Sequence, residues 1–135
     1  MKPTLLLAAT DPNSIYLLRR YAEESGFATL HASEGKKVLA LARQARPTAI
    51  ILETGLPGMM GWSVLQSLRA QQSTRRVPVV IYSWSDEGID DPVEGAVGFL
   101  QHPVLYEDFL AALADAGVHP PSPSSDATLT DRQEP

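Results

Sequence analysis

The chain has 135 residues, 44% of them apolar and 20% charged, with no cysteine and a formal net charge of −5. That size and balance fit one domain with a packed core, and the missing cysteines exclude disulfides, thiol nucleophiles and cysteine metal sites. The negative sign argues against nucleic-acid binding, which needs a basic surface, and no stretch approaches the roughly 20 apolar residues of a membrane span.

Residues 5–9, Leu-Leu-Leu-Ala-Ala, form the first apolar run. It is too short for a signal peptide, which makes a cytoplasmic protein the expectation. Asp11 then caps a helix with Pro12 in its first turn, Ile15, Leu18, Tyr21 and Ala22 on one face and Gly26 as the stop. A weaker run covers residues 27–31. Ser33 is expected to cap a second helix, with Val38, Leu41, Ala42 and Ala45 inward and Pro47 ending it. Apolar runs follow at 48–52, 79–82 and 97–100, and Trp62, Leu65 and Leu68 mark a helix between the first two of these. The four strong runs lack polar alternation, as strands covered on both faces do. Phe109, Leu110 and Leu113 mark the last helix, which ends near Gly117. Residues 118–135, with four prolines and almost no bulky apolar side chains, read as a disordered Pro/Ser-rich tail. The folded domain is therefore expected over residues 1–117.

Strands alternating with helices of this length call for a parallel sheet with helices on both faces and right-handed crossovers. In such α/β folds the functional crevice lies at the carboxyl ends of the strands. The residues to inspect are those after the runs: Ala9 to Asp11, Glu53 to Gly55, Ser83 with Trp84, and His102 with Pro103.

Three stretches carry a resemblance. Residues 50–62, with Glu53 followed by Thr-Gly-Leu-Pro-Gly-Met-Met-Gly-Trp, resemble the third-strand motif of response-regulator receiver domains, apolar-Asp-x-x-Leu-Pro-Gly-Met-Asp-Gly. Residues 78–83 resemble the fourth strand with its terminal Ser or Thr. Residues 95–103 resemble the Gly-Ala-x-x-aromatic-apolar-x-Lys-Pro stretch around the fifth. The resemblance implies a flavodoxin-like, doubly wound five-stranded sheet in the order 2-1-3-4-5 and a role in two-component phosphorelay signalling.

The same resemblance implies that the family's chemistry is altered here. Family members accept a phosphoryl group on an Asp, hold Mg²⁺ with that Asp and an acidic pair after the first strand, and steady the phosphoryl group with a Lys and a Ser or Thr. In this chain the phosphoacceptor position is Glu53, the acidic-pair positions are Ala9 and Thr10, the Lys position is His102, and Ser83 alone matches. Glu53 and Asp11 are left as anionic ligands for a cation that demands near-octahedral oxygen geometry, so Mg²⁺ is expected to bind weakly or not at all. Without metal and Lys, little offsets the charge of a transferring phosphoryl group. No cofactor and no enzymatic activity are expected, and the three histidines lack metal-ligand spacing.

Each departure has two readings. Glu53 is either a partly exposed carboxylate at a disused site or a fixed charge standing in for a phosphoryl group near Ser83. His102 either fills the vacated Lys position or forms a pH-sensitive pair with Glu53. Trp84 either covers the crevice or is an exposed loop aromatic. Phe99, at the switch-aromatic position beside the switch-like Ser83, is expected to be a core side chain. The interval from Ser83 to His102 is about one helical turn shorter than in receivers and contains Gly88, Pro92 and Gly95, so the fourth helix should be short, irregular or absent.

The leading expectation is a receiver acting as a phosphorylation-independent interaction module. The alternatives are a weakly phosphorylatable receiver using Glu53, Asp11 or Ser83, or a small-ligand-binding pseudo-receiver. The last lacks a glycine-rich phosphate loop. Charge is segregated: residues 1–76 carry a net +5, whereas residues 77–131 contain no Lys or Arg and carry −10. Asp86, Glu87, Asp90, Asp91 and Glu94 concentrate that charge, either as a solvated face or as a surface that steers a basic signalling partner.

Overall fold

Apolar runs too short for buried helices pair side by side in this chain, and their order sets the architecture. The computed structural model describes residues 3–56, 61–83, 98–101 and 104–120. Its elements are β1 (Thr4–Ala8), α1 (Pro12–Glu24), β2 (Ala28–Ala32), α2 (Gly35–Ala45), β3 (Ala49–Glu53), α3 (Gly61–Ala70), β4 (Val79–Ser83), β5 (Gly98–Gln101) and α4 (Tyr106–Asp115). All strand pairs are parallel and the sheet order is β2-β1-β3-β4-β5, as the motifs implied. The fold is flavodoxin-like. Residues 84–97, where a short or absent fourth helix was expected, lie outside the described residues, and so do 121–135 of the expected tail.

Successive strand residues face opposite sides of a sheet, which divides the core in two. Leu5, Leu7, Ile51, Val80, Tyr82 and Leu100 pack under α1 and α4 with Leu18, Ala22, Phe109 and Leu113. Leu6, Ala8, Ile50, Leu52, Val79 and Ile81 pack under α2 and α3 with Val38, Ala42, Val64, Leu65 and Leu68. Both faces of β1, β3 and β4 are thus covered, which is why their sequences read as unbroken apolar runs.

The edge strand departs from that expectation. In β5, Gly98 and Leu100 are buried while Phe99 and Gln101 are exposed. Phe99 is 36% exposed rather than a core side chain, because it projects to the face opposite Leu100. Gly98 has its own reason. A Cβ there would stand 3.0 Å from the Ala112 carbonyl oxygen and 3.3 Å from Val80, so only glycine lets α4 lie this close to β5.

Local signals place the helices with small corrections. Asp11 is the N-cap of α1, its carboxylate accepting the Ser14 amide at 2.9 Å, with Pro12 at the first helical position. Gly26, at φ 91, turns the chain after the helix. Buried on α1 are Ser14, Leu18 and Ala22, with Ile15 and Tyr21 half-buried. For α2 the N-cap is Glu34, without a side-chain cap bond, rather than Ser33. Ala45, the last residue of the helix, is exposed rather than inward, and Ala42 is the last position of α2 that the core covers. Val118, assigned by composition to the tail, is 5% exposed; it joins the α1/α4 core and its amide donates to the Leu113 carbonyl at 2.8 Å.

Arg46 adopts φ 46 and ψ 63, the left-handed region, where a side chain costs about 1–2 kcal/mol relative to glycine. Arg46→Gly should therefore raise stability by about 1 kcal/mol, read as a higher urea midpoint with an unchanged m value.

Candidate functional site

The carboxyl ends of β1, β3 and β4 bring Thr10, Asp11, Glu53 and Ser83 together at one end of the sheet. Glu53 is the last residue of β3, between β1 and β4. Its side chain is 6% exposed, so it is a buried carboxylate rather than the partly exposed one of the first reading. A charge in that position needs donors. Thr10 supplies them: its amide donates to Oε1 at 3.1 Å, and its hydroxyl donates to Oε2 at 3.0 Å, with Oε1 at 3.4 Å. One threonine thus grips both carboxylate oxygens. The extra methylene of Glu relative to Asp gives the reach for this bond across to the loop after β1.

Asp11, half-buried, turns Oδ2 back to the Ser14 amide and so serves the start of α1. Ser14 then reaches the other side of the site, where its hydroxyl lies 2.8 Å from the Tyr82 phenol, both buried. Tyr82 is the register partner of Glu53 in the β3–β4 ladder, and its carbonyl accepts the Thr54 amide at 3.1 Å. The segment from Thr10 into the first turn of α1 at Ser14 is therefore held from two strands, by Glu53 of β3 and by Tyr82 of β4. His31 adds a third tie, its Nε2 lying 2.9 Å from the Ala9 carbonyl oxygen.

Burial pushes the Tyr82 phenol above its ordinary value of 10.0; the Ser14 hydrogen bond opposes this, and the nearby Glu53 and Asp11 charges add to it. The folded state holds a proton that the unfolded chain releases. The contribution is complete below about pH 10 and is lost as pH rises through the higher folded value. Tyr82→Phe should cost about 1 kcal/mol at pH 7 through the orphaned Ser14 hydroxyl. It should also flatten the fall in stability above pH 10, as followed by urea melts across that range.

Ser83, 4% exposed, ends β4 beside Gln101 of β5. Trp84, His102 and Pro103 lie outside the described residues, as do Asp86, Glu87, Asp90, Asp91 and Glu94. Ser14 and Tyr82 were missed in the sequence. The available signal was a serine on the apolar stripe of α1, four residues before Leu18, and a hydroxyl-bearing aromatic at the end of an apolar run. For Thr10 the signal was a paired change: a hydroxyl where the family motif has an acid, opposite a carboxylate one methylene longer.

The model of the response regulator receiver domain matches residues 5–114. This chain belongs to the receiver domain family. Receiver domains of this kind work in two-component signalling. The chain is 29% identical over 112 residues to protein PilH of Pseudomonas aeruginosa, covering 81% of this receiver and 93% of PilH. Its fold matches the chemotaxis response regulator CheY4 of Vibrio cholerae with a TM-score of 0.78 at 21% identity, over 86% of this chain and 99% of that one. It matches equally, at 0.78 and 21%, the receiver domain of sensor histidine kinase PA1611 of P. aeruginosa, over 87% and 99% of the two chains. The PA1611 structure has a magnesium ion coordinated in its active-site cleft. Among the described residues of the present receiver, no three His, Asp or Glu side chains cluster, and no helix is long and apolar enough to cross a membrane.

Proposed function

We propose that this receiver domain is a protein-interaction module of a two-component pathway whose state is not set by phosphoryl transfer to the end of β3. The observation that carries this reading is the Thr10 grip on Glu53. The residue at the phosphoacceptor position is buried, with both oxygens engaged by hydrogen bonds from the loop after β1. A nucleophilic attack needs a free oxygen in line with the phosphorus, and here it would have to break that grip first.

The residues present do not fit the family's Mg²⁺. Mg²⁺ takes near-ideal octahedral oxygen coordination, anchored by carboxylates. Thr10 presents hydrogen-bond donors toward Glu53, and Asp11 directs Oδ2 to its helix. Where a cation would stand beside a receiver carboxylate, Glu53 is instead solvated by a neutral amide and a hydroxyl. The wider reading, a basic partner steered by the acidic run Asp86 to Glu94, follows from the segregated charge of the sequence.

Incubation of the full chain with acetyl phosphate and Mg²⁺, followed by intact mass measurement, tests the proposal. The mass should stay that of the unmodified chain. Stoichiometric, Mg²⁺-dependent gain of one phosphoryl group would overturn it in favour of a working phosphoacceptor at Glu53, Asp11 or Ser83.

A further inference from the structure

The crevice at the carboxyl ends of the strands holds Asp11 and Glu53. On the α2/α3 side, arginines collect at the opposite rim, where the strands begin, while Glu23, Glu24 and Asp115 close α1 and α4 on the other side of the sheet. The two rims are separated by the length of five-residue strands, about 16 Å at ~3.3 Å per residue. Arg46 stands three residues before β3 and Arg76 three residues before β4. These strands pair from Ile50 and Val79 onward, and the Ile50 amide donates to the Pro78 carbonyl at 2.9 Å, so the two approaches run side by side. Arg75 precedes Arg76, and Arg43 lies in the last turn of α2. All four are exposed, and among the described residues no ion pair reaches them.

The loop that carries Arg75 and Arg76 is fixed by its own bonds. The Arg69 guanidinium donates to the Arg75 carbonyl at 3.1 Å and to the Val77 carbonyl at 2.7 Å. The buried Thr74 hydroxyl donates to the Leu68 carbonyl at 2.7 Å, and the Arg75 amide to the Gln71 carbonyl at 2.9 Å. One arginine therefore holds the backbone that presents two more. Helix polarity accounts for Arg43 and Arg69, which sit in the last turns of α2 and α3, where the negative end of the dipole favours cations. It does not account for Arg75 and Arg76, which lie beyond the helix. At Arg46 the chain keeps a guanidinium in a left-handed conformation that glycine would fill with less strain.

We infer that this amino-terminal rim, built from Arg46, Arg75 and Arg76 with Arg43 at its edge, is a binding site for an acidic segment of a partner protein. Guanidinium groups engage carboxylates through paired hydrogen bonds, and a fixed loop lowers the ordering cost of binding. The complementary charge of a short acidic run suits four exposed guanidinium groups. A long polyanion such as duplex DNA is disfavoured by the net charge of −5 of the whole chain. The site is separate from the Thr10–Glu53 crevice, and its test is independent of the phosphorylation state.

A fluorescein-labelled glutamate peptide of about ten residues, titrated with the full chain and read by anisotropy, tests the site. Binding should be saturable at about 20 mM salt and weaken by about tenfold or more at about 300 mM. Reversal of both loop charges, Arg75→Glu with Arg76→Glu, should weaken binding at low salt by about tenfold or more. The control pair Lys36→Glu with Lys37→Glu, at the other end of α2, should change it by less than about twofold. Thermal melts identify any variant that fails to fold, and Arg46→Gly, which relieves strain while removing one guanidinium, gives a second variant expected to weaken binding. Equal affinity of wild type and the Arg75/Arg76 reversal would overturn the inference. So would tighter binding to a DNA duplex than to the peptide, or low-salt self-association of the chain alone that the reversal abolishes, since the occupant would then be nucleic acid or a second copy.

Discussion

Phe109→Ala should destabilise the domain by about 3–5 kcal/mol, the usual range for truncating a fully buried aromatic. The Phe109 side chain is 0% exposed and sits where α4 meets both α1 and the sheet, in one cluster with Leu18, Ala22, Leu100 and Leu113. Its ring lies 5.6 Å from that of Tyr21 at 49°, and Tyr21 is in turn 5.3 Å from Tyr106. The polar atoms of this group are satisfied around the ring: Tyr21 donates to the Val104 carbonyl at 2.9 Å, and the Ser25 and Tyr106 hydroxyls lie 2.9 Å apart. Removing the ring leaves a cavity and loosens the frame that orients both hydrogen bonds. Domains of this size are stable by about 5–15 kcal/mol, so the loss is a large fraction of the total. Urea denaturation should show a much lower midpoint, and a change below about 1.5 kcal/mol would mean that α4 is not anchored through this residue.

Thr10→Val is the second large effect and the more informative about the site. Valine keeps the shape and the backbone amide but deletes the hydroxyl that donates to Oε2 of Glu53 at 3.0 Å. A buried carboxylate oxygen then loses its donor, which costs about 2–3 kcal/mol. The companion variant Glu53→Gln weakens the demand for that donor. A double-mutant cycle between the two should therefore return a coupling of about 1–2 kcal/mol. If Thr10→Val costs the same in the Glu53→Gln background as in wild type, the hydrogen bonds contribute nothing specific. The cycle is measured by equilibrium denaturation and needs neither metal nor phosphodonor.

Neighbours close in sequence explain what was readable without the structure. Asp11 caps α1 because the donor it accepts from is three residues away, and the strands could be located because coverage on both faces leaves uninterrupted apolar runs. The same logic misread β5, whose position at the sheet edge leaves Phe99 exposed. It placed Ala45 inward because apolar spacing does not say at which residue the core stops covering a helix. Val118 looked like tail because one buried side chain does not alter the composition of a segment.

For the site, the residues at strand ends could be named without coordinates: Thr10, Asp11, Glu53 and Ser83, with Trp84, His102 and Pro103 outside the described residues, and a carboxylate longer than the family motif with no acidic pair beside it. Charge segregation was equally legible, since it is a property of order along the chain. Which residues touch became visible only in the fold. Thr10 and Glu53 are 43 residues apart, and Ser14 and Tyr82 are 68 apart; their contacts exist because β1 and β4 flank β3 in the sheet. The same strand order sets the approaches to β3 and β4 side by side and so turns arginines scattered over residues 43–76 into one rim. Hydrogen bonds act over about 3 Å, and strand order, unlike helical period, leaves no local trace that tells which distant residues will come within that distance.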